Sequence, residues 1–157
     1  MRAIPTFFAV LLFAGSAQAD PVARTEAFVK TLQEVKPLPE DGSDLTAADK
    51  TANTATFAKL DGFLDFDTLV DRSVKSTKAK FKADQLATFK KDFSELIRLV
   101  AYANSGAFFK KAEYKLKLKK KGKNAEVEMD AYLAEEDFES KVTFHWVDSR
   151  IVDVSID

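Results

Sequence analysis

Apolar side chains recur every three to four residues over the first two thirds of the chain, which is the period of an amphipathic helix. Four segments follow this pattern: residues 22–36, 44–60, 65–75 and 82–104. We expect Asp65 or Asp67 to cap the third helix. We also expect Gly106 to end the fourth, whose apolar stripe consists of Leu86, Phe89, Phe93, Leu96, Ile97 and Val100.

From Glu113 onward the period of the apolar positions changes to two, which indicates β-strands. A hairpin with Gly122 and Lys123 as a two-residue type II′ turn makes residues face each other when their numbers sum to 245. One face then carries three lysine–acid pairs and the other three apolar pairs, and a slip by one residue would break both sets. The lysines paired in this register are Lys115, Lys117 and Lys119, opposite Asp130, Glu128 and Glu126, while Lys120, Lys121 and Lys123 remain unpaired at the tip.

Two further strands are predicted at 138–147 and 151–157. The expected neighbours are Leu133 with Phe138, Met129 with Val142, Val127 with Phe144, Val152 with Trp146, and Val154 with Phe144, the last two assuming a three-residue loop at 148–150. Helices precede strands along the chain, an order typical of α+β proteins. We therefore predict N-terminal helices packed on one face of a curved four-stranded antiparallel meander.

The first 19 residues have the pattern of a cleavable signal peptide. Arg2 is a short basic region, an apolar run follows to Gly15, and Ala17-Gln18-Ala19 is a small-x-small cleavage site. The run is shorter than the roughly 20 residues of a spanning helix. A buried N-terminal helix is the alternative, which the flanking Pro5 and Gly15 disfavour. We predict cleavage after Ala19, a single domain at 20–157, and a periplasmic protein that needs no disulfide because the chain has no cysteine.

Residues that could carry out catalysis or bind a metal are few. A formal charge of −1 provides no field for capturing nucleic acid. The single histidine, His145, lies between Glu126 and Asp153 in the predicted register. A histidine flanked by carboxylates is a candidate for acid/base catalysis. That sheet face is open to water, so we favour a structural pair over a catalytic one. The acids of segment 65–71 lack the glycine and terminal glutamate of a calcium loop. We expect no catalytic residue, no metal and no cofactor.

The phenylalanines fall mainly on the helix stripes and on the inward face of the sheet. Such residues fill a core completely in some proteins and line an apolar ligand cavity in others. The periodicity of the sequence does not distinguish these two possibilities.

Several segments, in order, resemble the MlaC or toluene-tolerance family of periplasmic phospholipid carriers. LDFDTLVDRSV precedes KAKFKADQLATFKKDFSELIRLVAYA, and the last strand reads RIVDVSID. The residues that carry the resemblance are the pair Asp65-Phe66, then Gln85, Phe89 and Phe93, and finally Val152-Asp153-Val154. The similarity covers about residues 57–157. The chain differs from the family in ending at Asp157, without the usual C-terminal segment, and in carrying Trp146 on the penultimate strand.

The resemblance implies an NTF2-like or cystatin-like fold with an apolar cavity between helices and sheet. The implied lining residues are Leu116, Leu118, Val127, Met129, Phe144, Trp146 and Val154 on the sheet, faced by Phe89, Phe93 and Val100. It also implies a noncatalytic, monomeric carrier that exchanges phospholipid or fatty-acyl ligands with a membrane-bound lipid transporter in outer-membrane lipid homeostasis. The alternative is a noncatalytic interaction or scaffold domain with a filled core, and an NTF2-like enzyme would need polar groups inside the cavity.

Overall fold

The computed structural model describes residues 20–39, 42–77 and 80–157, so the predicted signal peptide lies outside the described residues. In this part of the chain the helices are α1 (Pro21–Gln33), α2 (Ala47–Asp61), α3 (Phe66–Ser73), α4 (Ala83–Leu96), a π-helical turn (Ile97–Tyr102) and α5 (Ala103–Lys111). The strands are β1 (Glu113–Lys120), β2 (Asn124–Leu133), β3 (Phe138–Val147) and β4 (Arg150–Ile156). The strands form one antiparallel sheet in the order β1-β2-β3-β4, with helices, α1 and α5 foremost, packed against it. The predicted α+β architecture is confirmed.

Helix α3 begins at the first of the two aspartates that could cap it. One carboxylate oxygen of Asp65 accepts a hydrogen bond from the backbone N–H of Thr68 at 3.0 Å, and the other accepts from the Thr68 hydroxyl at 2.9 Å. This is the usual N-cap geometry. Asp67 instead lies in the first turn and forms an ion pair with Lys90 of α4.

The prediction that Gly106 ends the long helix is wrong, because the helix continues to Lys111. Gly106 is buried, and a Cβ built there would lie 2.3 Å from the carbonyl oxygen of Leu32 in α1. A glycine is therefore required by the close approach of two helices and not by a turn.

The register of the β1–β2 hairpin is confirmed from Glu113 to Leu118, where Lys115 faces Asp130 and Lys117 faces Glu128. Beyond Leu118 a bulge shifts the pairing, so that Lys120 rather than Lys119 faces Glu126. The connection is correspondingly longer than the two residues predicted, since β1 ends at Lys120 and β2 begins at Asn124.

The pairing of β3 with both its neighbours follows the apolar pattern, with one exception. The register of β2 with β3 is confirmed, and Val154 faces Phe144 as predicted. Trp146, however, faces Ile151, and the register shifts between His145 and Trp146. The cause is a turn of two residues at 148–149 instead of three, with Asp148 at a φ of 52°. Val152 then becomes an extra residue that a bulge accommodates.

The core lies between the inner face of the sheet and helices α1 and α5. The apolar residues that give segment 22–36 its helical spacing, Phe28, Val29, Leu32 and Val35, are all buried. The rings of Phe28 and Phe144 meet edge to face at 6.0 Å. Helix α1 thus covers the middle of the sheet, and Gly106 allows α5 to pack closely beside it.

Candidate functional site

The ten residues that the resemblance implies as cavity lining fall into two groups in the structure. Val127, Met129, Phe144 and Trp146 belong to the buried core, with exposed fractions of 3% or less. Leu116 is half-buried and packs against that core. The other five, namely Phe89, Phe93, Val100, Leu118 and Val154, are half-buried or exposed and lie outside the core cluster.

Helix α1 occupies the space in front of the four buried sheet residues. Besides the contact of Phe28 with Phe144, the indole N–H of Trp146 donates a hydrogen bond of 3.0 Å to the hydroxyl of Thr25, which is itself fully buried. Of two depressions found among the described residues, the one of about 820 Å³ is lined largely by polar residues of the sheet, such as Lys141. The other, of about 190 Å³, is lined by polar and apolar residues in equal number, among them His145 and the edge of the predicted lining residue Trp146. Neither is lined by Phe144 or Met129.

Helix α4, which we call the α4 arm (Ala83–Leu96), has an apolar face that is half-buried from Leu86 to Phe93 and exposed at Leu96. None of its residues is buried, although its sequence shows a clear apolar stripe. The rings of Phe81, Phe89 and Phe93 contact one another in series, with centroids 5.8 and 5.9 Å apart. At the end of the arm and in the following turn, Leu96 and Val100 are about half exposed, at 56% and 47%. We use the name α4 stripe for six apolar residues: Leu86, Phe89, Phe93 and Leu96 of α4, with Ile97 and Val100 of the π-helical turn.

The α4 stripe does not continue into the buried face of α5. Helical spacing from Ile97 and Val100 leads to Asn104, which is exposed. The buried residues of the downstream part are instead Tyr102, Ala103, Gly106 and Phe109. The two faces meet at the π-helical turn, where the wider winding changes the direction of the side chains. The downstream helix is therefore held in the core, which Ile97 also contacts, while the other five residues of the α4 stripe lie outside that core cluster.

A polar cluster joins this turn to the end of α2. The guanidinium of Arg98 donates to one carboxylate oxygen of Asp61 through Nε at 2.9 Å, and Nη2 lies 2.8 Å from the same oxygen. The hydroxyl of Tyr102 donates to the other oxygen at 3.0 Å. Burial, reinforced by the charge of Asp61 and the hydrogen bond to it, raises the pKa of Tyr102. The hydrogen bond to Asp61 likewise raises the pKa of Arg98. Tyr102 thus remains a neutral donor and Arg98 a fixed cation.

The residues of this cluster were missed at the level of the sequence. Arg98 and Tyr102 are four residues apart and share a helix face, which was visible in the sequence. Asp61 lies 37 residues before Arg98, so only the packing of α2 against the long helix brings it into contact.

At both edges of the sheet, apolar side chains of the inner face remain exposed. Leu118 on β1 and Val154 on β4 each have an exposed fraction of 40%, and Ile156 is more exposed still. On β4 the backbone N–H of Val154 donates to the carboxylate of Asp153 at 3.0 Å. This bond occupies a donor at the sheet edge, which reduces pairing with another strand.

The lysines of the β1–β2 hairpin are largely neutralised by neighbouring acids. Lys117 pairs with Asp130 at 2.6 Å, Lys119 with Glu128 at 3.3 Å, Lys120 with Glu126 at 3.6 Å and Lys123 with Asp148 at 3.9 Å. The prediction that Lys120 and Lys123 are unpaired is therefore wrong, because the bulge and the adjacent β3–β4 turn bring acids to them. Among the described residues, Lys121 alone of the three predicted tip lysines has no ion-pair partner.

His145 has the predicted neighbours but a different partner. It faces Glu126 on β2 and Asp153 on β4, as the register requires. Its Nε2 lies 3.0 Å from the hydroxyl of Ser155, while Asp153 binds Arg72 of α3 at 2.8 Å. Asp153 therefore links α3 to β4 and does not orient the imidazole through a hydrogen bond of its own.

The described residues contain neither a cluster of metal-binding side chains nor a membrane-spanning helix. No group of three or more histidine, cysteine, aspartate or glutamate side chains within 20–39, 42–77 and 80–157 is arranged to hold a metal ion. In the same ranges, no helix combines the length and apolar composition needed to cross a membrane.

Comparison with known protein families finds no family that matches the chain, and comparison with curated proteins finds none that is significantly similar to it.

Proposed function

We propose that the protein is a noncatalytic periplasmic carrier of a phospholipid or fatty-acyl ligand, which it binds along the α4 stripe. The observation that carries the proposal is that α4 has a clear apolar stripe and no buried residue. An apolar face of this kind lowers its free energy when another apolar surface removes it from water. The proposal places the ligand beside the long helix and not behind Phe144, where α1 already fills the space.

The dimensions of the α4 stripe suit an acyl chain. Leu86 and Val100 are 14 residues apart, which corresponds to about 21 Å along a helix. One acyl chain spans roughly half of a bilayer hydrocarbon core, or about 15 Å. Each methylene removed from water contributes about 0.8 kcal/mol, so a chain lying along the stripe needs no specific polar contact to be retained.

The predicted signal peptide and the resemblance to periplasmic phospholipid carriers support the same proposal. A carrier that works between membranes would receive its ligand from a membrane-bound lipid transporter or deliver it to one. The ligand would remain chemically unchanged, so no catalytic residue would be required.

The test is analysis of the lipids bound to protein purified without detergent. We expect mass spectrometry of the organic extract to find phospholipid or fatty acid in a reproducible ratio to the protein. The variant Phe93→Ser should lower this ratio because it places a hydroxyl in the middle of the stripe. A matched control is Phe138→Ser, which changes an exposed aromatic residue on β3, away from α4. Protein that is empty and also ignores added phospholipid would contradict the proposal.

A second candidate function is an interaction domain, favoured by the filled space between α1 and the sheet centre. In that case the α4 stripe would bind a partner protein, and the extract would contain no lipid. A protein partner that copurifies with the lipid-free protein, and is lost on Phe93→Ser, would support this alternative.

A further inference from the structure

We propose that the α4 arm is a lid, hinged at the π-helical turn, which opens to admit an acyl ligand to the α4 stripe and closes over it. The proposal rests on the proposed function for its ligand but not for its motion. Three observations support it. The two halves of the long helix differ in burial, a π-helical turn joins them, and the contacts that hold the N-terminal half are exposed.

The C-terminal half of the long helix is fixed in the core. Tyr102, Ala103 and Phe109 are buried, and Gly106 lies against the backbone of Leu32 so closely that no side chain fits between them. Moving this half would separate α5 from α1 and expose their contact. It is therefore the stationary part of the helix.

The N-terminal half is held in a different way. The α4 arm has no buried residue, and an ion pair of Lys90 with Asp67, whose side chains are 45% and 78% exposed, joins it to α3. Exposed ion pairs contribute little to stability because water and salt screen both charges. The arm can thus leave α3 without separating α1 or α5 from the sheet.

The π-helical turn at Ile97–Tyr102 lies between the two halves. Such turns are uncommon, and their hydrogen bonds join residues five apart instead of the four of an α-helix. Asp61 accepts hydrogen bonds from Arg98 and Tyr102 of this turn, and the Arg98 guanidinium also lies 5.6 Å from the centre of the Phe66 ring. These contacts anchor Arg98 and Tyr102 to α2 and α3, so we infer that the arm pivots where it enters the turn, at Leu96 and Ile97.

The motion can be measured without a ligand because the chain contains no cysteine, so introduced thiols are the only ones present. Spin labels at Lys91→Cys and Thr54→Cys report the distance from the arm to α2. We expect two distance populations, and the longer should grow several-fold when Lys90→Glu places a like charge beside Asp67. Adding Asp67→Lys should reverse that growth. A control pair at Thr54 on α2 and Lys111 on the stationary half of the long helix should give a single unchanged distance.

The role of the motion is tested by bridging Asp67→Cys and Lys90→Cys with a short bis-maleimide. The probe is a phosphatidylcholine with a fluorescent acyl chain, transferred from the protein to vesicles of unlabelled phosphatidylcholine. We expect transfer to slow at least tenfold relative to the unbridged variant. A matched bridge between Glu34→Cys and Lys59→Cys, which replaces an exposed ion pair of 3.1 Å between α1 and α2, should leave the rate unchanged.

The two measurements separate failure of the lid from failure of the carrier function. A single narrow label distance, unaffected by Lys90→Glu, would overturn the lid, as would equal transfer rates with and without the 67–90 bridge. If the protein takes up no probe at all while the labels still show two distances that respond to charge, the lid stands and the carrier function fails.

Discussion

We expect Gly106→Ala to lower the stability of the protein, although a change from glycine to alanine inside a helix usually raises it. At an ordinary helical position alanine is more stable than glycine by up to about 1 kcal/mol, because glycine loses more backbone entropy on folding. At Gly106 the new Cβ would lie 2.3 Å from the Leu32 carbonyl oxygen, 3.2 Å from its carbon and 3.4 Å from the Cβ of Val35. The nearest atom belongs to the backbone of a buried helix, so it cannot rotate away.

The size of the effect follows from the distance that is missing. Non-bonded heavy atoms have their optimum near 3.5 Å, so α5 must move away from α1 by about 1 Å. Overpacking of this kind costs roughly 1 to 3 kcal/mol. We expect a value at the upper end of this range because the atom that must move belongs to the backbone. After subtraction of the propensity gain, we predict that Gly106→Ala lowers the free energy of unfolding by about 2 kcal/mol.

The assay is urea unfolding followed by far-UV circular dichroism. With a slope of roughly 2 kcal/mol per molar urea, the midpoint should fall by about 1 M. Asn104→Ala is the matched control, since Asn104 is exposed on the same helix and should gain a few tenths of a kcal/mol from propensity alone. A Gly106→Ala variant as stable as the wild type would refute the assigned contact of α5 with α1.

Three further predictions concern polar contacts. Thr25→Val should lower the free energy of unfolding by about 1 to 3 kcal/mol, because the buried indole N–H of Trp146 loses its acceptor at 3.0 Å, and near-UV circular dichroism of the indole should change with it. Asn53→Ala should cost about 2 kcal/mol in urea unfolding, since its buried amide makes two hydrogen bonds, of 2.8 and 2.9 Å, to the backbone that follows α1, and an unchanged midpoint would contradict this. The hydrogen bond from Lys117 lowers the pKa of Asp130 below 3.8, so this pair stabilises the fold above that pH and its contribution is lost as the pH falls below it. The difference in melting temperature between wild type and Lys117→Met should therefore shrink on acidification below pH 3.8, and a difference that stays constant down to pH 2 would count against the pair.

The amphipathic helices and the sheet could be predicted from the sequence because their signals are local. The stripe from Phe28 to Val35 and the alternation from Glu113 onward depend only on neighbours along the chain. The hairpin register was predictable as far as Leu118, since a slip would have exposed the apolar face. It failed at Lys119 and at Trp146, where the number of residues in a turn changed and a bulge absorbed the difference.

The candidate site was less predictable because its location depends on which faces meet. Phe89 and Phe144 both read as apolar positions of regular elements, and nothing in the spacing separates a residue that fills a core from one on an open face. The structure places Phe144 against Phe28 and leaves Phe89 beside Phe81 and Phe93 on the arm.

The sequence by itself determined the class of the fold, the order of its elements and the identity of most apolar faces. These features follow from the spacing of apolar residues that are close together in the chain. Tertiary structure alone decided that Gly106 is a point of contact and not a stop, that α1 covers the sheet, and that α4 does not. It also brought Asp61 to Arg98 and Tyr102. These outcomes depend on distances between segments far apart in the chain, which are set by the packing of whole helices and leave no local pattern.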